Sequence, residues 1–215
     1  ERWARPACAH ALSSRKEPGH TQKGRIVPTG FHPVLVFPEA PVLLDLSGRT
    51  PPSDSGHRYS IGRYNETRNI YTQELFGGER NIHIGIDLGA PAGTEVTAFT
   101  DCTLYAFGNN DSDGDYGPTL VTEQEVNGAK IWALYGHLSL CSLEGKVLGM
   151  AFKAGQRIGQ LGPPHENGGW PPHLHFQLAK MAPDGADMPG AVRAEELNQA
   201  LRDYPDPRTV LGPLY

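Results

Sequence analysis

A chain of 215 residues with 38% hydrophobic content can bury one sizeable core. With 24 acidic against 19 basic residues its net charge is -5, which excludes the broad basic field of a nucleic-acid binder. No apolar run approaches the roughly 20 residues of a membrane-spanning helix. The three cysteines, Cys8, Cys102 and Cys141, are widely separated, form no CxxC pair and are odd in number, so neither a thiolate zinc site nor a disulfide framework is indicated.

In chain order, residues 1–25 form a basic run, with Arg2, Arg5, Arg15, Lys16, Lys23 and Arg25 against Glu1 and Glu17. Up to residue 60 the sequence is rich in Pro, Ser and charge, and Pro33, Pro38 and Pro41 break the apolar runs of Phe31–Leu46. Residues 1–60 are therefore expected to form an irregular arm laid over a core. The 26 Gly and 19 Pro, set between short Val/Ile/Leu/Tyr runs, predict a mainly β protein that turns often. Strand-length segments fall at Ile82–Leu88, Thr94–Phe99, Thr103–Phe107, Thr119–Thr122, Ile131–Tyr135, Gln156–Leu161 and Leu174–Leu178, so residues 61–182 are read as one compact β domain. Cys102 and Cys141 are expected to be buried thiols within it. Ala194, Leu197 and Leu201 stand at helical spacing within Ala191–Arg202, which predicts a short C-terminal helix on the sheet edge in a tail of residues 183–215.

Four of the nine histidines fall in patterns that bring polar groups to one face. In Ile82–Leu88, read as one strand, alternation sends the isoleucines and Leu88 one way and His83, Gly85 and Asp87 the other. In Pro172–Leu178, His173, His175 and Gln177 share a face opposite Leu174, Phe176 and Leu178. His137 ends the apolar strand Ile131–Gly136 where a loop begins, a usual place for a group that must reach a cleft. A catalytic zinc takes three protein ligands and keeps one place for water, so two histidines and a carboxylate from this set suit an open site.

The motifs are His83-x-x-x-Asp87 followed by Gly-Ala-Pro-Ala-Gly-Thr-Glu-Val, Tyr135-Gly136-His137-Leu138-Ser139, Gly155-Gln156-x-Ile158-Gly159 and Pro172-His173-Leu174-His175-Phe176. In this order they resemble the lysostaphin/LytM-type zinc endopeptidases of peptidase family M23, over roughly residues 76–180. The resemblance implies an antiparallel β-sheet or sandwich with a substrate groove, and one zinc per chain held by His83, Asp87 and His175. His137 and His173 match the family's catalytic pair. It also implies hydrolysis of peptide bonds in peptidoglycan stem peptides or cross-bridges, at a periplasmic or extracellular location. The alternative is a peptide- or cell-wall-binding module that keeps the fold and the zinc without turnover.

Three further features remain. Asp111, Asp113 and Asp115 alternate as in a calcium loop, but Tyr116 stands where that loop requires Gly and Thr122 where it requires Glu, so a solvated turn is expected. Trp170 reads either as a groove wall or as packing between loops. Part of the arm is a candidate plug for the groove, with Asn65 or Asn69 as a fourth metal ligand.

Overall fold

The computed structural model describes residues 30–48, 58–71, 76–77 and 79–215. The basic run of residues 1–25, Cys8, His10, His20 and His57 lie outside them. The strands are β1 (Val42–Leu43), β2 (Ser60–Gly62), β3 (Glu66–Thr67), β4 (Ile82–His83), β5 (Ile86–Gly89), β6 (Glu95–Thr97) and β7 (Cys102–Asn110). They continue with β8 (Gly117–Val126), β9 (Ala129–Gly136), β10 (Ala151–Phe152), β11 (Arg157–Gln160), β12 (His173–Ala179) and β13 (Ala191–Val192). Two short helices, α1 (Leu197–Asp203) and α2 (Arg208–Leu211), close the chain. Among the described residues no helix is long and apolar enough to cross a membrane.

The main sheet has eight strands in the order β1-β2-β5-β12-β9-β8-β7-β10. Its neighbours are antiparallel except at one edge, where β1 runs parallel to β2, so the sheet is mixed. Smaller sheets pair β11 with β6 and order β13-β4-β3. One face carries the principal core. There Ile86, Leu88, Leu174, Phe176, Leu178, Ala133 and Tyr135 meet Phe99, Leu104 and Leu120. Val34 and Leu35 of the N-terminal segment are buried in this core, and their neighbour His32 donates its backbone N–H to Phe99 O. Behind β7, β8 and β9 a second cluster gathers Ala106, Tyr116, Val121, Trp132, Leu134 and Met188.

The run Ile82–Leu88 is not one strand. Ile82 and Ile84 are buried with Val192 and Ala200 beneath α1, whereas Ile86 and Leu88 enter the main core. The chain bends at Ile84-Gly85 to pass from the small sheet to the large one, and Ile84 N–H turns aside to Gly190 O. Ala191–Arg202 also divides. Ala191 and Val192 pair with His83 and Ile82, a short 3-10 turn spans Ala194–Glu196, and the α-helix starts only at Leu197. Val192 is β-branched and suits the pleat, and the Glu196 carboxylate accepts the Arg193 N–H to start the helical turn. Cys102 is buried, but Cys141 is only partly so, in the 3-10 turn Leu140–Leu143.

Phe176 is fully buried, with its ring centroid 5.2 Å from that of Tyr135 and 5.9 Å from that of Phe99. Phe176→Ala is expected to cost about 3–5 kcal/mol in urea unfolding. A loss under about 1 kcal/mol would place the core elsewhere.

Candidate metal centre

The site is built on a register. Across four adjacent strands Gly62 pairs with Asp87, Asp87 with His175, and His175 with Gly136. Asp87 and His175 thus stand side by side on one face, flanked by glycines whose missing Cβ leaves room for Arg68 and Tyr116. A Cβ on Gly136 would stand 2.8 Å from the Tyr116 ring, so the absence of one admits that ring beneath His175. A Cβ on Gly85 would overlap the His175 imidazole. His83 reaches the same point from the small sheet, where it is paired between Glu66 and Ala191.

The donor atoms converge closely. His83 Nε2 lies 3.0 Å from His175 Nδ1 and 3.2 Å from Asp87 Oδ1, and His175 Nδ1 lies 3.1 Å from Asp87 Oδ1. Among the described residues this is the group of His, Cys and acidic side chains placed to hold a metal ion. A tetrahedral zinc with bonds of about 2.0–2.1 Å separates its ligand atoms by about 3.3 Å, so the donor set suits zinc. Partners behind the rings fix which nitrogen faces inward. His83 Nδ1–H donates to Arg63 O at 2.8 Å, leaving Nε2 as the lone-pair atom. His175 Nε2–H donates to Gln177 Oε1 at 3.0 Å, leaving Nδ1, and Gln177 is itself tethered to Pro189 O.

The electrostatics match a set of deprotonated donors. Burial, aided by the Arg68 charge, lowers His83 to about 4 against the pull of Asp87. Burial alone would raise the Asp87 carboxyl, but the positive charge of His83 when protonated and that of the Arg68 guanidinium hold it well below the usual range. A neutral imidazole and an ionised carboxylate are the forms that bind metal.

His137 and His173 stand beside this triangle, with ring centroids 4.2 Å apart. His137 Nδ1–H donates to the carbonyl of buried Asn167 at 2.8 Å, and His173 Nδ1–H to Pro171 O at 2.7 Å. Each therefore presents Nε2, and that of His173 lies 3.8 Å from Asp87 Oδ1. Burial, then the nearby His173 and His175, holds His137 well below its ordinary value, and burial likewise lowers His173. His137 takes a left-handed backbone, φ 60°, which a non-glycine residue seldom adopts. Its N–H is held by Tyr116 O and its carbonyl by Gly162 N–H, which keep the strand end turned toward the groove.

The groove above these groups has a volume of about 900 Å³ and is lined among others by Tyr71, Phe76, Arg80, Asp115, Trp170, Asp187 and Met188. Trp170 fills both roles read for it. It lines the groove, and its Nε1–H donates to Gly114 O, tying the Asp111–Asp115 turn to the loop before β12. In that turn Asp111 and Asp113 are exposed, while Asp115 Oδ1 accepts the Tyr116 N–H. Asn69 is not at the triangle, for its amide donates to Ser47 O. Asn65 contributes a left-handed turn residue whose N–H bonds His83 O. His32 and His165 are exposed.

Two residues at the site carry no local signal in the sequence. Tyr116 lies with its ring centroid 5.0 Å from that of His175 and donates its hydroxyl to Met188 O. Arg68 is 3% exposed and its Nη1 donates to Asp87 Oδ2 at 2.6 Å.

A His–Asp–His triangle at the floor of an open β groove is the arrangement that could hold a divalent metal with a place left open. Residues 81–187 match the family model of peptidase family M23, and through this segment the chain belongs to that family. No curated protein matches the chain in sequence. Among solved structures it is similar to the catalytic domain of the antimicrobial peptidase lysostaphin from Staphylococcus simulans, at 24% identity over 66% of this chain and 92% of that one, TM-score 0.45. It is also similar to the catalytic domain of a variant of the prophage-encoded M23 protein EnpA from Enterococcus faecalis, at 24% identity, 68% and 95% coverage and TM-score 0.44. A zinc-containing peptidase from Vibrio cholerae matches at 25% identity over 62% of this chain and 36% of that one, TM-score 0.41.

Because the His175 ring occupies the space a Cβ at Gly85 would need, Gly85→Ala is expected to weaken zinc uptake by about 10- to 100-fold while the sheet stays folded. Equilibrium dialysis alongside circular dichroism measures both. Unchanged uptake would show that the ring does not depend on that gap.

Proposed function

We propose that the chain is a zinc-dependent endopeptidase that hydrolyses peptide bonds in peptidoglycan stem peptides or cross-bridges. The observation that carries this reading is the convergence of His83 Nε2, Asp87 Oδ1 and His175 Nδ1 within 3.2 Å of one another, beside His137 and His173 and under an open groove. The substrate class rests on the resemblance to the family, and with it a periplasmic or extracellular site of action. The groove, open and walled by aromatic side chains, suits an extended peptide.

In this reading His83, Asp87 and His175 hold one zinc. When bound, zinc supplies a Lewis acid that polarises the scissile carbonyl and lowers the pKa of water to about 7. His137 and His173 handle the protons. With each Nδ1–H committed to a backbone carbonyl, each Nε2 is a lone pair facing the groove, so both are proton acceptors when neutral. The nearness of the rings makes protonation of one disfavour protonation of the other, so the pair acts as a base that carries a single proton. The histidine that takes the proton of the attacking water becomes an N–H donor. It then hydrogen-bonds the developing oxyanion or returns the proton to the leaving amine.

The test is release of new amino groups from purified peptidoglycan by the zinc-loaded protein. The wild type is expected to release them, and His137→Ala to hold its zinc yet fall by about 10²–10⁴-fold in rate. A wild type that holds one zinc and releases nothing would overturn the peptidase reading and leave a binding groove.

A further inference from the structure

The guanidinium of Arg68 is buried immediately after β3, and each of its nitrogens is used. Nε donates to Glu66 Oε2 at 3.1 Å, Nη1 to Asp87 Oδ2 at 2.6 Å and to Tyr71 Oη at 2.8 Å, and Nη2 to Arg63 O at 3.4 Å. Glu66 is anchored in turn, its Oε1 accepting from Leu46 N–H and from Arg63 Nη1. The backbone makes room for this arrangement. A Cβ on Gly62 would stand 2.7 Å from Arg68 Nη2 and 3.1 Å from Asp87 Oδ2.

The two oxygens of Asp87 are thereby divided. Oδ1 faces His83 and His175, while Oδ2 is taken by Arg68. An ionised carboxylate offers lone pairs on both oxygens and can grip a metal with two at once. A second oxygen on the zinc would fill the place that a catalytic site keeps open. We propose that Arg68 is a positioning residue that occupies Oδ2 of Asp87, restricts the carboxylate to one ligating oxygen, and so keeps a coordination place free. The proposal rests on the reading of His83, Asp87 and His175 as the metal ligands.

Affinity is a poor readout of this role. Removing a cation next to a dication strengthens metal binding, whereas freeing an oriented ligand weakens it. Coordination number separates the two effects, because four-coordinate cobalt(II) absorbs visible light far more strongly than five- or six-coordinate cobalt(II). The experiment loads the protein with one equivalent of cobalt(II) and records the visible spectrum and bound metal for the wild type, Arg68→Met and Arg68→Lys. The wild type is expected to give the intense four-coordinate band. Arg68→Met is expected to bind one cobalt with most of that intensity lost, and Arg68→Lys, which keeps a charged donor for Oδ2, to recover it.

A wild-type spectrum in Arg68→Met would overturn the role of Arg68 while the metal reading stands. A wild type that takes up no cobalt would overturn the metal reading itself. Should circular dichroism show Arg68→Met unfolded, Glu66→Gln loosens the same guanidinium from its other carboxylate. A partial loss of the band is then expected, and an unchanged band would overturn the proposal.

Discussion

The register between β5 and β12 is the constraint on which the rest of the site depends. Pairing Asp87 with His175 sets a carboxylate and an imidazole on the same face, while Ile86, Leu88, Leu174 and Phe176 fill the core on the other. A slip of one residue would exchange the faces, burying the polar groups in the core and exposing the apolar ones. The apolar face therefore enforces the polar one. The energy that holds this register is that of the core, which the polar groups of the triangle do not themselves supply.

Around that pair, the site is completed by spaces as much as by side chains. Gly62, Gly85 and Gly136 lie next to Asp87 and His175, and each lacks a Cβ where Arg68, His175 or Tyr116 stands. The backbone supplies the remaining order. Carbonyls of Arg63, Asn167 and Pro171 accept the Nδ1–H groups of His83, His137 and His173, so the inward-facing atom of each ring is decided before any ligand arrives. A site so arranged needs little reorganisation to receive a cation.

The β class and the faces of His173–Leu178 are legible in the sequence because period-2 alternation is local and β12 runs straight through a single sheet. The same alternation in Ile82–Leu88 misleads about continuity. Its apolar residues serve two different clusters, and only the packing partners Val192 and Ala200, more than a hundred residues away, reveal the crossing. The edge strand Val42–Leu43 and the pair Ala191–Val192 escape for a related reason, being two residues long and strands only by virtue of their neighbours. His83, Asp87, His137, His173 and His175 stand out by spacing and lie together in the fold. Arg68 and Tyr116 do not stand out, since a lone Arg in a polar stretch and a Tyr in an acidic turn look like surface residues until the glycines opposite them are seen.

The central claim is that three side chains from two sheets hold a single zinc. Native mass spectrometry of the zinc-treated wild type and of His83→Ala, Asp87→Ala and His175→Ala tests it most directly. The account predicts one zinc on the wild type and none on any of the three folded variants. A wild type without zinc, or a variant that keeps it in full, would contradict it.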